Sequence, residues 1–382
     1  YRSDWQRKTF GGDDLFQRNL HFIEKSFRQG CDLATHCGDR YGWDVLMVLY
    51  KLVDNLQHKA WKYLDPKTAP QHPRRAEMAA RCFEELDIVL GDLTAYARSH
   101  NAMIVIMSDH GHGSLDGKAQ PNLLLEQWGY LRIKSRVTQA KRRAQRMIDR
   151  VRGKTNKRFA ANLGIEHELD LDWSRTQACV MHAGIYGFLY VSLKGRQPGG
   201  LVDPADYERV RDDLREKFLR VTCRNPQGEI IPVFPDVHKT EELYRCSREE
   251  QPWLPDLLLV PYPGLAVVRK IRGSRAVRWL SASRMEGTHR VEGILIANGP
   301  HVCQGAAIHA NIADIAPTIL AAVGLRVPLD MEGQALTDLF DARLTVEFEP
   351  PQAAVLTEHE EVYSEAVKEA LTRRLSDLGY LE

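Results

Sequence analysis

The sequence contains no closely spaced pair of cysteines. Seven cysteines stand singly along the chain, at Cys31, Cys37, Cys82, Cys179, Cys223, Cys246 and Cys303. An odd number of scattered cysteines, without C-x-x-C spacing, argues against both a disulfide framework and a thiolate zinc ribbon. The sequence therefore predicts a reducing compartment, and the cytoplasm is the expected location.

The sequence also lacks a strong net charge and any long apolar run. The 382 residues carry a formal charge of +1 and 43% of them are hydrophobic, which excludes a disordered chain and gives no support to nucleic-acid binding. No apolar stretch approaches the roughly 20 residues that a membrane helix requires. The first residues do not form a signal peptide, and because the chain does not begin with Met, targeting information could lie outside it. The sequence does not predict an oligomeric state.

Three apolar runs have the composition of buried strands. They are WDVLMVLY at residues 43–50, AMIVIM at 102–107 and GILIA at 293–297. Residues 73–100, between the first two, are rich in Ala, Glu, Leu and Arg at helical spacing. This alternation predicts an α/β fold with a parallel or mixed sheet. In open α/β sheets, binding and catalytic groups gather at the carboxyl ends of the strands.

The stretch from residue 111 to 250 differs in composition and is predicted to be an insertion or cap region. It contains a strand candidate at 185–193 and a helix that begins after Asp203, with Pro204 at its first position. It also contains a basic segment at 134–158. That segment is either a solvated helical face or a contact for an anionic substrate or surface.

The core is predicted to lie on either side of this insertion. Residues 1–110 form its first part and carry the first candidate metal motifs. Residues 251–345 continue it and carry the third motif, with a strand at 256–261 and a helix at 312–323. Residues 346–382 are predicted to form a helical tail.

Aspartate and histidine residues follow or flank the predicted strands in three places. Asp54 and His58 are spaced i, i+4 in VDNLQH, so one helical turn can direct both at the same point. Asp109 and His110 are adjacent in MSDHGHG, and His289 lies in EGTHRVEG. Mixed oxygen and imidazole ligands suit a divalent ion such as zinc or manganese, and the lack of cysteine ligands disfavours a purely structural zinc site. The sequence therefore predicts a metal centre.

The order of these motifs resembles the metal-ligand pattern of the alkaline phosphatase superfamily: Asp-x-x-x-His after one strand, Asp-His-Gly after the next, and Gly-x-His far downstream. The resemblance is closest to the type I phosphodiesterase/nucleotide pyrophosphatase branch, within it to predicted phosphohydrolases or phosphomutases. Further similarity lies in DNLQHKAWKYLDP, DWSRTQA, HRVEGILIANGP and ANIADIAPTILAAVGLRVPLDMEGQAL. This resemblance implies an alkaline-phosphatase-like central mixed sheet sandwiched by helices, with an inserted cap region.

The same resemblance implies a metal-dependent phosphoric ester hydrolase. In that family two divalent ions, usually zinc, lie about 4 Å apart and hold the phosphoryl group of the substrate. Carried over to this chain, Asp54, His58 and His289 would bind one ion, and Asp109 and His110 would supply two ligands of the second; manganese could replace zinc. The intact protein is expected to hydrolyse a small-molecule phosphate ester, preferably a diester, through a covalent phospho-enzyme.

The family's remaining Asp ligand and its Thr or Ser nucleophile belong to a motif that does not occur in this chain. The residues before Asp54 have a charged, helical pattern, as in DLFQRNLHFIEKSF, rather than that of a strand followed by a nucleophile turn. Neither Thr9 nor Thr35 is assigned the role. We therefore expect an N-terminally truncated chain that is inactive by itself.

Two alternatives share the predicted metal ligands. A phosphomutase of the same superfamily would use the same metal set, whereas a sulfatase is disfavoured because no Cys-x-Pro-x-Arg motif occurs. A non-catalytic metal-binding fragment is the alternative from a different class. The filled ligand positions argue against it, because buried charged groups are costly without a metal.

Other residues near the motifs are given lesser roles. His112 follows His110 by two positions and is predicted to be part of a pocket wall rather than a metal ligand. His301 and His309 follow the third motif in a loop and are predicted to face solvent. Arg290 could orient the neighbouring ligand or contact phosphate.

Overall fold

The computed structural model describes residues 12–134, 171–244, 251, 253–281, 285–305, 307–341 and 344–351. Contacts divide the chain into two compact units. Unit 1 holds the described residues up to His112 together with those from His289 onward, and unit 2 runs from Gly113 to Thr288. None of the helices in these described ranges combines the length and apolar character needed to cross a membrane.

Helices and strands are interspersed along the described chain, which confirms the predicted α/β fold class. The α-helices are α1 (Asp13–Tyr41), α2 (Leu52–Leu64), α3 (Pro73–Ser99), α4 (Pro121–Gln127), α5 (Tyr207–Leu219), α6 (Thr240–Leu243) and α7 (Ile315–Ala322). The strands are β1 (Ile104–Met107), β2 (Gly111–Leu115), β3 (Gly117–Ala119), β4 (Ala178–Ala183), β5 (Gly187–Val191), β6 (Thr222–Arg224), β7 (Ile230–Pro232), β8 (Asp236–Lys239), β9 (Leu257–Val260), β10 (Leu265–Val267), β11 (Val277–Trp279), β12 (Glu286–Arg290), β13 (Leu295–Asn298), β14 (Val327–Pro328) and β15 (Phe348–Glu349).

The described strands form several small sheets with both parallel and antiparallel pairs. In unit 1, β1 pairs antiparallel with β13, from Ile104 opposite Asn298 to Met107 opposite Leu295, and β14 pairs parallel with β15. In unit 2, β4, β5, β9 and β8 form an antiparallel sheet in that order. There, too, β3 lies between a parallel β10 and an antiparallel β11, and β6 pairs antiparallel with β7. Strand β2 pairs with β12.

The core of unit 1 is a helical cluster. One stripe of α1 is buried, and its apolar members recur every three or four residues, as the helical repeat requires: Phe16, Leu20, Ile23, Phe27 and Cys31. This stripe packs with buried residues of α2 and α3 in one hydrophobic cluster. An ion pair joins the helix ends, because the Arg75 guanidinium on α3 lies 2.6 Å from the Asp13 carboxylate on α1. The cluster holds α2 in place.

The predicted strand at residues 43–50 is wrong. The segment between α1 and α2 is irregular, and no strand in the described ranges pairs with it. It is held by side chains instead, because Trp43 stacks on Tyr96 of α3 and Tyr50 packs edge-on against Phe27 of α1. An apolar composition alone does not supply the hydrogen-bonding neighbour that makes a strand. The intervening Val45, Met47 and Leu49 are consequently exposed.

Unit 2 is organised around a buried carboxylate. Asp256 is fully buried and accepts two hydrogen bonds from Arg196, at 2.8 and 2.7 Å, one from the Val191 amide at 2.5 Å and one from the Tyr207 hydroxyl. A buried charge is tolerated only when it is paired and hydrogen-bonded in this way. Asp256 therefore connects β5, the start of α5 and the entry to β9.

The division into units differs from the predicted boundary at residue 250. The segment at 256–261 was predicted to resume the core, but β9 lies in the sheet of unit 2, between β5 and β8. Unit 2 consequently extends to Thr288. An apolar strand shows that a sheet continues but does not show which sheet it joins, since the partner is chosen by packing elsewhere in the chain.

Most other predicted elements are confirmed with slightly different bounds. Residues 73–100, 102–107 and 185–193 contain α3, β1 and β5, and residues 293–297 overlap β13. The helix predicted after Asp203 is a short 3-10 turn followed by α5. The helix predicted at 312–323 is likewise a 3-10 turn followed by α7. The basic segment lies outside the described residues apart from its first residue, Lys134. Of the predicted helical tail, the described part contains β15, and the residues beyond 351 lie outside the described ranges.

We predict that Phe27→Ala destabilises the protein far more than Leu33→Ala on the same helix. Phe27 is 1% exposed in the core of unit 1, whereas Leu33 is 63% exposed. The buried truncation should lower the free energy of unfolding by about 3–5 kcal/mol, and the exposed one should change it by about 0.5 kcal/mol or less. Urea unfolding followed by circular dichroism measures both. Equal losses would contradict the assignment of this stripe to the core.

Candidate metal centre

Helix α2 carries two of the candidate ligands on one face. Leu56, Ala60 and Tyr63 are buried in the core of unit 1 and fix the helix. His58 Nε2 lies 3.2 Å from Asp54 Oδ1, one helical turn away. The i, i+4 spacing therefore brings the two side chains together, as the sequence predicted. Asp54 also lies in the first helical turn, where the helix dipole stabilises a carboxylate.

The segments that follow β1 and β12 pack tightly on each other. There is no room for a side chain at Gly111, because a Cβ there would lie 1.9 Å from the backbone carbonyl oxygen of Glu292. The Ser108 amide donates to the Ile294 carbonyl at 3.1 Å, and Ser108 Oγ accepts from the Ile294 amide at 2.9 Å. His110 belongs to the first of these segments, and His289 lies in β12, just before the second. The packing therefore sets the distance between their stacked rings, whose centroids are 3.8 Å apart.

The carboxylate of Asp54 is the meeting point of four imidazoles. Its Oδ1 lies 3.2 Å from Nε2 of both His58 and His289, 4.0 Å from His110 Nε2 and 3.9 Å from His112 Nδ1. The Nε2 atoms of His58 and His289 are 2.8 Å apart. The donor atoms of Asp54, His58 and His289 thus form a triangle with sides of 2.8 to 3.2 Å. Neighbouring ligands of a tetrahedral zinc ion are separated by about 3.3 Å, which is similar.

Burial and hydrogen bonding act on the protonation of Asp54 and His112. Burial works to raise the pKa of the Asp54 carboxyl, but hydrogen bonds from His289 and His58 outweigh it and hold that pKa well below its usual range. Burial lowers the pKa of His112 to about 4, and the charge of His58 acts in the same direction. His110 Nδ1 lies 3.0 Å from the carbonyl oxygen of the next residue, which can only accept. A neutral His110 ring therefore carries its proton on Nδ1 and keeps the Nε2 lone pair.

Four residues bring one donor atom each to within 4.8 Å of one another: Asp54, His110, His112 and His289. One carboxylate oxygen and three imidazole nitrogens suit zinc, manganese and similar divalent ions. Asp109 lies outside this group with 78% of its side chain exposed, and its nearest ring nitrogen is His110 Nε2, at 3.6 Å. Of the five residues predicted from the sequence, Asp54, His110 and His289 belong to this group, and His58 adjoins it with Nε2 3.2 Å from Asp54 Oδ1. Asp109 does not belong to it. Their assignment as metal ligands stays a prediction.

Comparison with protein families gives a match to the family described as type I phosphodiesterase / nucleotide pyrophosphatase, over residues 2–292. The chain belongs to this family. The match contains α2, β1 and β12, and so includes every donor described above. Comparisons with curated proteins and with solved structures gave no match.

In this member of the type I phosphodiesterase / nucleotide pyrophosphatase family, His112 adjoins the candidate ligands. It was predicted to be a pocket wall, yet one of its ring nitrogens lies among the donor atoms. The sequence signal that could have identified His112 is its position two residues after His110, near the start of β2. That spacing brings the two ring centroids to 5.9 Å, although the backbone bends at His110 just before β2 begins.

The residues that the sequence analysis gave lesser roles differ from the candidate ligands in their surroundings. His301 and His309 are exposed, as predicted. Arg290 Nη1 donates to the carbonyl oxygen of His289 at 3.0 Å and so supports the backbone of that residue. The Thr35 hydroxyl donates to the Cys31 carbonyl at 3.1 Å within α1, and Thr9 lies outside the described residues.

We predict that Gly111→Ala loosens the segment that carries His289, whereas Gly91→Ala does not. A methyl group at Gly111 would meet a backbone carbonyl, but one at Gly91, in α3, would meet open space. Alanine should stabilise the helix at residue 91 by up to about 1 kcal/mol. Gly111→Ala should lower the free energy of unfolding and speed amide exchange at Ile294. Exchange mass spectrometry over residues 290–295 measures this, and protection unchanged from the parent protein would contradict the close packing described here.

Proposed function

We propose that the protein is a metal-dependent phosphoric ester hydrolase that cleaves phosphodiesters with the help of two divalent ions, zinc or manganese. The observation that carries the proposal is the convergence of four imidazoles on the Asp54 carboxylate in a member of this family. Such a concentration of nitrogen ligands around one anionic oxygen is typical of metallohydrolase sites.

The chemistry of the donor set fits such ions. His112 Nε2 is buried and has no hydrogen-bond partner among the described residues, although a polar atom in such a place is normally satisfied. In the proposed arrangement, Asp54, His58 and His289 hold one ion, and Asp109 and His110 contribute to the second. When bound, the ions would lower the pKa of the nucleophile and neutralise charge that develops on the phosphoryl oxygens.

The chain's own residues prepare this site in two ways. Asp54 stays ionised because its pKa is held low, so a negative oxygen is available at neutral pH. The contact of His110 Nδ1 with a backbone carbonyl fixes the ring orientation and leaves Nε2 as a ligand atom. The proposed nucleophile is a Thr or Ser hydroxyl. The substrate is proposed to be a small-molecule phosphate ester.

We predict that the protein, with any residues that its gene encodes on either side of this chain, cleaves bis-nitrophenyl phosphate and loses that activity to a chelator. The physical reason is that Asp54 and the surrounding imidazoles should require divalent ions to bind and polarise the phosphoryl group. Release of nitrophenol gives the rate, and metal analysis confirms that the ions have been removed. Adding back zinc or manganese should restore activity. Full activity in metal-free protein would rule out the metal-dependent mechanism.

In the same protein, His289→Ala should reduce turnover by about 100-fold or more, while His309→Ala leaves it within about twofold. His289 Nε2 lies 3.2 Å from Asp54 Oδ1 and 2.8 Å from His58 Nε2, whereas His309 is an exposed residue of a loop. Steady-state rates with the same aryl phosphodiester compare the two variants. Similar rates would show that His289 has no special part in the site.

A further inference from the structure

The charges of the chain are divided unevenly between its two units. Unit 2, from Gly113 to Thr288, contains 31 Lys and Arg against 21 Asp and Glu, an excess of ten positive charges. The rest of the sequence contains 21 Lys and Arg against 30 Asp and Glu, an excess of nine negative charges. The charge of +1 is thus the difference between a basic and an acidic part of the chain. Such an asymmetry indicates contact with an anionic partner.

The arginines of unit 2 fall into two groups. Those on α5 pair with nearby acids: Arg209 with Asp206 at 2.9 Å, Arg215 with Glu242 at 2.7 Å, and Arg220 with Glu216. The second group lies in residues 257–285, which contain six Lys or Arg and no Asp or Glu. Of these, Arg272, Arg275 and Arg278 are exposed, and none of the three forms an ion pair within the described part of the chain. The second group therefore presents positive charge that the described residues do not neutralise.

Buried amides hold the loop that carries Arg272 and Arg275, between β10 and β11. The Gln120 side chain, 2% exposed, donates to the carbonyl oxygens of these two arginines at 3.0 and 2.9 Å. It also accepts from the amide of Arg272 at 2.9 Å. The fully buried Asn122 side chain donates to the carbonyl oxygen of Arg269 at 3.0 Å. Because these bonds order the loop in advance, little backbone entropy is lost when it binds a partner.

A fourth cation lies beside Arg278. The register of β3 and β11 places Lys118 directly opposite Arg278. The adjacent pair in that register, Ala119 with Val277, is buried, so the alternation of side chains directs the two cations to the opposite face of the sheet. Like charges directly opposite each other are destabilising. A bound anion would relieve this repulsion.

The kind of anionic partner follows from what accompanies the cations. The two aromatic residues of the stretch that the structure describes, Tyr262 and Trp279, pack against the core of unit 2. They therefore offer no exposed ring on which the bases of a single-stranded nucleic acid could stack. A duplex is read by a helix or ribbon that enters a groove, whereas these cations lie on a loop and a sheet face. A bilayer of anionic lipids needs only several cations presented together.

We propose that Lys118, Arg272, Arg275 and Arg278 form a basic surface that docks the protein on an anionic phospholipid bilayer. The contact is peripheral, with the charged side chains at the level of the lipid phosphates. Its strength comes from Coulomb attraction, so it weakens as salt screens the charges. The proposal does not require a metal ion at Asp54 and stands apart from the proposed function.

The test is sedimentation of the protein with vesicles of phosphatidylcholine, either alone or with about one third phosphatidylserine. The parent protein should bind the anionic vesicles and not the neutral ones. A cation near an anionic leaflet strengthens binding about fivefold. The combined variant Arg272→Gln, Arg275→Gln and Arg278→Gln should therefore bind about 100-fold more weakly.

The matched control is the combined variant Arg209→Gln, Arg215→Gln and Arg220→Gln. It removes the same number of positive charges from unit 2, but each of these arginines already has an acidic partner. Its binding should stay within about threefold of the parent, because ion-paired charges contribute little to the field at the bilayer. Thermal unfolding confirms that both variants are folded.

Hydrogen exchange of the parent protein locates the contact and decides the question if the first variant does not fold. Anionic vesicles should slow amide exchange in residues 268–279, and about 0.5 M salt should remove the effect. Unchanged exchange there, equal binding to neutral vesicles, or an equal loss in both combined variants would overturn the proposal. So would binding of duplex DNA that is tighter than binding of the anionic vesicles at the same salt concentration, since the surface would then serve a nucleic acid.

Discussion

The site depends on one carboxylate oxygen that three separate segments of the chain approach. Asp54 Oδ1 comes from α2, and it meets imidazoles from α2, from the residues after β1 and from β12. Each segment is held by contacts away from the donors. Helix α2 is anchored by its buried apolar face, and the other two segments by the fit of Gly111 and the hydrogen bonds between Ser108 and Ile294. The donor arrangement is therefore a consequence of packing, which favours a preformed site.

Preformation has an electrostatic consequence. Bringing four imidazoles around one partly buried carboxylate leaves few ways to satisfy every nitrogen by hydrogen bonds alone. The close pair of His58 and His289 needs a proton on one ring and a lone pair on the other, whereas His112 makes no normal hydrogen bond at either nitrogen with the described residues. A cation at the centre would satisfy several lone pairs at once, and it would also balance the charge of Asp54. The cluster of donor atoms thus suits a bound metal ion better than an empty site.

Much of this could be predicted from the sequence, because the relevant signals are local. The i, i+4 spacing of Asp54 and His58 specifies their common direction once the segment is a helix, and the apolar run before Asp109 specifies a strand that ends there. The prediction of a strand at residues 43–50 was wrong because strand formation depends on contacts that are not local. Whether an apolar run becomes a strand depends on a partner elsewhere in the chain, and composition contains no information about that partner. The end of unit 2 at Thr288 was not predicted for the same reason, because β9 joins β5 and β8 through pairing that is not local in the sequence.

His112 shows where a family pattern and local geometry lead to different expectations. The pattern draws attention to the adjacent pair Asp109 and His110, but adjacent residues of an extended chain point to opposite sides. Here the backbone bends at both residues, and 78% of the Asp109 side chain is exposed. The ring nitrogens of His110 and His112 nevertheless both approach Asp54 Oδ1, at 4.0 and 3.9 Å. The sequence pattern does not specify this bend, so the place of the second histidine of the HGH triplet among the donor atoms could be found only from the structure.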